Sequence, residues 1–127
     1  MSDKLDEIFL AQIELMKKYH EIEKENFLLQ DHNIPVKINT HKGQARIRDL
    51  SWRIVEELSE AVNHLKLRPW TQGTRDPINL EEFQEELADV FHFMVELMIS
   101  VGIDGPKLHS AYFRKHKKNK ERQDGGY

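Results

Sequence analysis

Glu56-Glu57-Leu58-Ser59-Glu60-Ala61-Val62 and Glu85-Glu86-Leu87-Ala88-Asp89-Val90-Phe91 are the two halves of the stretch that decides the fold. Each half reads Glu-Glu-Leu, one small residue, an acid and two apolar residues. On a helix at about 100° per residue, with Leu58 and Leu87 each set at zero, Glu57 and Glu86 fall about 100° to one side. Glu60 and Asp89 lie roughly 60° further round on that side. The apolar stripes keep the same phase: Ile54, Leu58, Ala61 and Leu65 in the first block, Phe83, Leu87, Val90 and Met94 in the second. Two amphipathic helices are predicted, each with a pair of acids on one shoulder of its apolar face. The segment between them is long enough for an antiparallel return, which would gather four carboxylates. Such a cluster repels itself unless cations occupy it, and hard oxygen donors suit Mg2+, with Mn2+ as the alternative. The pattern predicts a metal site.

Composition narrows the rest. A chain of 127 residues has the length of one domain, and a single all-α domain over residues 1–127 is expected. The chain is 32% charged, yet its 39% hydrophobic residues recur with helical period, which argues for a folded protein rather than disorder. A net charge of −3 gives no general attraction to nucleic acid or to a membrane surface, and neither is expected as a partner. Cysteine is absent, which excludes thiol chemistry, zinc-thiolate sites and a disulfide framework. The start, Met-Ser-Asp-Lys-Leu-Asp-Glu, lacks the basic and apolar regions of a signal peptide, and no apolar run approaches a membrane span. A soluble, cytoplasmic protein is expected.

Taken in order, residues 3–30 predict one long helix with a seam at Leu5, Ile8, Gln12, Leu15, Tyr19, Ile22, Asn26 and Leu29. Gln12 and Asn26 interrupt that seam with amides, either to set register or to read a ligand's hydrogen-bonding edge. Pro35, Asn39 and Gly43 make the following segment a connection, and His32 and His41 within it are given no role. A second helix is predicted from near Gln44 to about Lys66, with Arg53, Glu57, Glu60 and His64 along one polar seam. Leu67 to Asn79 holds two prolines, one glycine and Trp70, either a lid on the core or a ring poised to stack on a planar ligand. Asn79 and Glu82 have the spacing of a cap with its reciprocal carboxylate, which gives Glu82 a structural duty. The third helix runs to about Val101 with Gly102 as its stop, and Asp104 with Pro106 opens a fourth. The expected architecture is an antiparallel bundle of about four helices followed by a basic C-terminal tail. That tail carries Arg114, Lys115, Lys117, Lys118, Lys120 and Arg122.

The paired acidic blocks resemble those of the all-α nucleoside triphosphate pyrophosphohydrolases, a superfamily that includes the MazG-like enzymes and the dimeric dUTPases. The tail sharpens the likeness: Lys115, Asn119, Arg122-Gln123 and Gly126-Tyr127 are similar to a Lys-Asn-x-x-Asn-x-x-Arg-Gln-x-x-Gly-Tyr run of the dimeric dUTPase branch. The resemblance implies an Mg2+-dependent hydrolase of a (deoxy)nucleoside triphosphate, dUTP first among candidates, that releases the monophosphate and pyrophosphate. It implies metal ligands at Glu57, Glu60, Glu86 and Asp89, a water-orienting base at Glu56, phosphate contacts at Lys115, Asn119 and Arg122, and base contacts at Gln12 and Trp70. It also implies a homodimer or higher homo-oligomer. His116 stands where the tail pattern has asparagine, and the asparagine that follows the first-helix glutamine in that branch is absent. These departures leave the reaction class intact and leave the base open among dUTP, dCTP, dATP and dGTP.

Two other classes compete. A di-iron carboxylate bundle needs Glu-x-x-His on two helices, and only Asp89-x-x-His92 approximates it here. A helical interaction module without activity would account for the first helix, but not for the matched acidic shoulders.

Overall fold

Each helix of this chain begins where a short polar side chain can satisfy an otherwise unpaired backbone N–H. In the computed structural model, Asp3 caps α1 (Lys4–Glu23), its carboxylate accepting from the Asp6 N–H at 2.8 Å. Thr40 caps α2 (His41–Val62) through the Gly43 N–H at 3.0 Å. Asn79 caps α3 (Leu80–Ser100) through the Glu82 N–H at 3.1 Å, as its spacing predicts. Asp104 caps α4 (Gly105–Asp124) through the Lys107 N–H at 2.9 Å, with Pro106 in the first turn. The structure describes residues 3–26 and 29–126, with the backbone alone at Glu25; among these there are four α-helices and no strand. The fold is an all-α bundle, and no helix among the described residues is long and apolar enough to cross a membrane.

The centre of the fold is the pairing of α2 with α3. Arg46, early in α2, meets Glu96, late in α3, and His64, just past α2, meets Glu86, early in α3. The two helices are therefore antiparallel. α1 lies across α3, and α4 packs on α1 alone. The buried core joins Phe9 and Met16 of α1 to Val95 and Ile99 of α3, with Leu5, Ile13, Met98 and Leu108 against it. Deep burial of such side chains is worth about 1.5–3 kcal/mol each. The connection from Asp31 to Gly43 ties one end of the pair, where α2 begins and α3 finishes. Its Val36 N–H donates to the Ser100 carbonyl at 2.8 Å, and the Asp31 carboxylate accepts from the N–H groups of Asn33 and Lys37. Those two backbone donors hold the Asp31 carboxyl below its ordinary range. Gly43 is required here, because a Cβ would collide with the Lys37 carbonyl. Gly102, at φ +84°, ends α3 in the left-handed turn expected of a C-terminal glycine.

Three expectations are corrected. The first helix ends at Glu23, followed by a 3₁₀ turn over Lys24–Asn26, so it does not reach residue 30; residues 27 and 28 lie outside the described set. Its buried seam is Leu5, Phe9, Gln12, Ile13 and Met16 rather than the one built on Ile8, Leu15, Ile22 and Leu29. Both rows are apolar, and α3 packs on the row that carries the aromatic ring. The basic run is not a tail but the second half of α4, as its lysines, its arginines, Glu121 and Gln123 favour helix. The glycines at 125 and 126 close that helix, and Tyr127 lies outside the described residues.

The apolar stripes of α2 and α3 are only half used. Ala61 is buried, whereas Leu58, Leu65, Leu87 and Met94 remain exposed, as do Trp52, Val55, Val62 and Phe91 beside them. The two helices bury their shared seam and leave a second apolar side open.

Candidate metal centre

The antiparallel pairing brings one shoulder of α2 against the matching shoulder of α3. Each of Glu57, Glu60 and Glu86 offers a carboxylate oxygen within 4.8 Å of the other two. Asp89, one turn beyond Glu86, is exposed at the edge of this group. It is close enough for its charge to act on Glu57, whose carboxyl is held above its ordinary range. Partial desolvation is the largest cause, followed by the charges of Glu60, Asp89 and Glu86 and a hydrogen bond shared with Glu60. On the other side, His64 Nε2 stands 3.8 Å from Glu86 Oε1. Glu86 Oε2 is buried and has no hydrogen-bond partner among the described residues.

A buried acceptor without a donor costs about 1–3 kcal/mol. Like charges gathered around it add to that cost. A hard divalent cation would relieve both, and three or four carboxylate oxygens are the donor set such an ion prefers. The residues present therefore fit a metal. Glu86 is half-buried and Glu57 also, so the site is partly shielded while its rim stays open to a ligand.

The other anticipated residues separate into distinct places. Glu56 is exposed on α2 and stands outside the three converging acids. Gln12 is 3% exposed and lines an apolar cavity of about 270 Å³ with Ile8, Leu15, Ala88, Phe91 and Val95. His92 also borders this cavity, and its Nδ1 pairs with the Ala88 carbonyl at 2.9 Å, which places the proton on that nitrogen. Trp70 is 76% exposed in the α2–α3 connection and does not line the Gln12 cavity. Lys115, Asn119 and Arg122 lie on the exposed half of α4, which within one chain does not pack on α2 or α3.

Sequence reasoning missed a second charged arrangement on the same two helices. Arg46 and Glu96 are each 1% exposed and 3.5 Å apart in the bundle interior. His20 Nε2 lies 3.4 Å from Arg46 Nη2, and Asp49 lies 3.8 Å from Arg46 Nη1. Arg53 bonds Asp49 at 2.9 Å and faces Glu23 at 3.8 Å. Burial lifts the Glu96 carboxyl above its ordinary range against the pull of Arg46, and the guanidinium keeps its charge throughout. Burial, with Arg46 second, also lowers the His20 imidazole. One signal was available: Glu96 is the lone polar residue in the otherwise apolar run from Phe93 to Ile99.

A family model described as dUTPase matches residues 4–106, which includes all four acids and Gln12 but not the basic half of α4. The dCTP pyrophosphatase of Enterobacteria phage T4 is 39% identical to this chain over 46 residues. That stretch is 36% of the chain and 27% of the relative, so the similarity spans about a quarter of the phage protein. No solved structure matches the chain significantly.

Proposed function

The chain belongs to the dUTPase family, and from that premise we propose that it hydrolyses a deoxynucleoside triphosphate to the monophosphate and pyrophosphate. The observation that carries this reading is the convergence of Glu57, Glu60 and Glu86, with Glu86 Oε2 buried and unpaired. Glu57, Glu60, Glu86 and Asp89 are the proposed ligands of Mg2+, or of Mn2+ in its place. When bound, such an ion supplies positive charge for the phosphate oxygens and lowers the pKa of water. The reaction joins a water oxygen to the α-phosphorus and breaks the α–β anhydride bond, so that pyrophosphate leaves. The carboxylates hold the reacting end; the half-buried setting of Glu57 and Glu86 limits the water that competes there. Glu56, exposed on α2 outside the ligand group, is the proposed water-orienting base on the strength of the resemblance alone.

dUTP is the proposed substrate. The Gln12 amide offers both an acceptor and a donor at the edge of an apolar cavity, as discrimination by uracil's N3–H and O4 requires. dCTP is the second reading, favoured by the similarity to the phage dCTP pyrophosphatase. The open apolar side of α2 and α3 is proposed to receive a second copy of the chain. In such a dimer Lys115, Asn119 and Arg122 would bind phosphates at the partner's acids, and Trp70 would reach a base held in the other copy.

Product analysis with the deoxynucleoside triphosphates in Mg2+ tests the reaction. The expected result is pyrophosphate with the monophosphate, dUTP turning over fastest. Absence of hydrolysis of every nucleotide in Mg2+ and in Mn2+ would overturn it. Gln12→Leu is expected to lower turnover of dUTP and narrow its margin over dCTP, while divalent-ion binding is kept. Light scattering tests the assembly, and a monomer at high concentration contradicts it.

A further inference from the structure

The acids have a cationic neighbour in their own chain. After α2 ends, the backbone turns through Asn63 and His64 and enters the connection to α3. There Lys66, Arg68, Trp70, Thr71, Gln72 and Arg75 line a cavity of about 660 Å³. Three of these six residues are cations and none is an acid. Among the described residues, no carboxylate lies within ion-pair distance of Lys66, Arg68 or Arg75. The rim has a built shape. Thr71 Oγ1 accepts from the Arg68 N–H at 2.8 Å and donates to the Lys66 carbonyl at 3.3 Å. The Thr71 N–H closes the turn on the Arg68 carbonyl at 2.9 Å. Arg75 Nη1 is tied to the carbonyls of Gln72 and Thr74, at 3.3 and 3.0 Å.

This cavity has Lys66 in common with a second cavity that borders the acidic cluster. That second cavity, of about 390 Å³, is walled also by His64 and by the acids Glu60, Asp76 and Glu82, so a phosphate chain needs a cation to enter it. Lys66 therefore stands between a proposed metal ligand, Glu60, and the loop that carries Arg68 and Arg75. A ligand that suits both ends must carry several negative charges along its length. One end is held through a cation on the acids, and the other is held directly by side-chain cations. A chain of linked phosphates has that form, and a single carboxylate or phosphate does not.

We propose that the α2–α3 connection is a polyphosphate-binding subsite in which Lys66, Arg68 and Arg75 hold the two phosphates that leave as pyrophosphate. The assignment rests on the reaction proposed above. It differs from the α4 residues as a source of phosphate contacts, because Lys66 shares a cavity with Glu60 of its own chain. Guanidinium groups bind phosphate oxygens in pairs, whereas Lys66 acts as a point charge between the two cavities. The three cations are exposed, so their effect is screened and falls with salt.

Trp70 lines the same cavity and reports on it. The chain has two tryptophans, so Trp52→Phe leaves Trp70 as the sole indole. Inorganic pyrophosphate titrated into that full-length variant in Mg2+ is expected to shift Trp70 emission saturably, with weaker binding as salt rises. Adding Lys66→Ala, Arg68→Ala and Arg75→Ala is expected to weaken pyrophosphate binding roughly tenfold, the scale of three exposed charge contacts. The same change is expected to raise KM for the triphosphate with kcat little altered, and to leave Mn2+ binding and helical content unchanged. Pyrophosphate affinity equal in the triple variant and its parent overturns the subsite, as does a wild-type chain that binds no pyrophosphate. If hydrolysis stays intact in that triple variant, the proposed reaction survives without the subsite. A chain that hydrolyses no nucleotide, yet binds pyrophosphate through these three cations, overturns the reaction and keeps the subsite.

Discussion

Two glutamates of α3 face α2 under opposite conditions. Glu96 is fully buried, and the chain provides its counter-charge in Arg46 at 3.5 Å. Both glutamates have buried oxygens without a hydrogen-bond partner among the described residues, but to Glu86, ten residues earlier, α2 offers two further acids in place of a guanidinium. The nearest cation-forming group there is His64, at 3.8 Å from Glu86 Oε1. The same helix pair thus completes its charge at one end and leaves a surplus at the other. Where the fold alone needs a buried acid, it supplies a guanidinium; the open end is arranged for a cation from outside. Each end can be perturbed separately, and the consequences differ in kind.

The largest effect is expected at the closed end. Arg46→Met leaves Glu96 buried without its cation and should cost about 3–5 kcal/mol in urea denaturation. Arg46→Met combined with Glu96→Leu should recover most of that loss, since an apolar pair of similar volume removes both charges together. If the single variant were as stable as the wild type, the pair would have no part in holding α2 against α3.

At the open end the sign reverses. Glu57→Gln removes one of several repelling charges, so the metal-free fold should be slightly more stable, by less than about 1 kcal/mol for a half-buried group at the surface. A clear loss of metal-free stability would mean that the acids are held by partners inside the chain, and the contrast between the two ends would fail.

The pH dependence of the metal-free chain follows from the same contrast. The Glu57 carboxyl is raised above its ordinary range, so the folded state binds more protons than the unfolded one between those two values. Stability from this group is therefore present at low pH and is lost as pH rises from the unfolded value through the raised one. Asp31 works in the other direction. Its carboxyl is lowered by backbone donors, and its contribution is present above the unfolded value and lost as pH falls through the lowered one. Divalent ion should cancel the loss at Glu57 and leave that at Asp31 unchanged, which paired denaturation series with and without Mg2+ will read.

The smallest effect concerns α4. Removal of residues 117–127 deletes exposed helix beyond the core contact at Leu108, and should change stability by no more than about 0.5 kcal/mol. KM for the triphosphate is the quantity to compare, with a rise expected where α4 serves a partner's acids.

The sequence disclosed these features unevenly, for physical reasons. The acidic shoulders were legible because a helix repeats its faces at fixed spacing, and the two blocks share one phase. Helix starts at Asn79 and Asp104 were legible because capping is local chemistry. The α1 seam was not, since Ile8, Leu15 and Ile22 form as good a periodic row as Phe9, Ile13 and Met16; only packing against α3 chooses between them. Arg46 and Glu96 were missed because their meeting depends on the register of two helices fifty residues apart in sequence. The base contact of Trp70 came from resemblance alone, and its setting among Lys66, Arg68 and Arg75 depends on how the connection folds, which no periodicity discloses.

The contrast between the two ends rests on a cation entering one of them. Mn2+ titrated into the nucleotide-free chain and followed by electron paramagnetic resonance reads that entry directly. The expected result is a saturable class of bound ion in the wild type, lost or weakened about 10–100-fold in Glu86→Gln. Glu82→Gln, which changes an exposed acid in the first turn of the same helix, should bind as the wild type does. Equal Mn2+ binding by Glu86→Gln and wild type, or no bound class in either, would contradict the assignment of the acidic cluster as a metal centre.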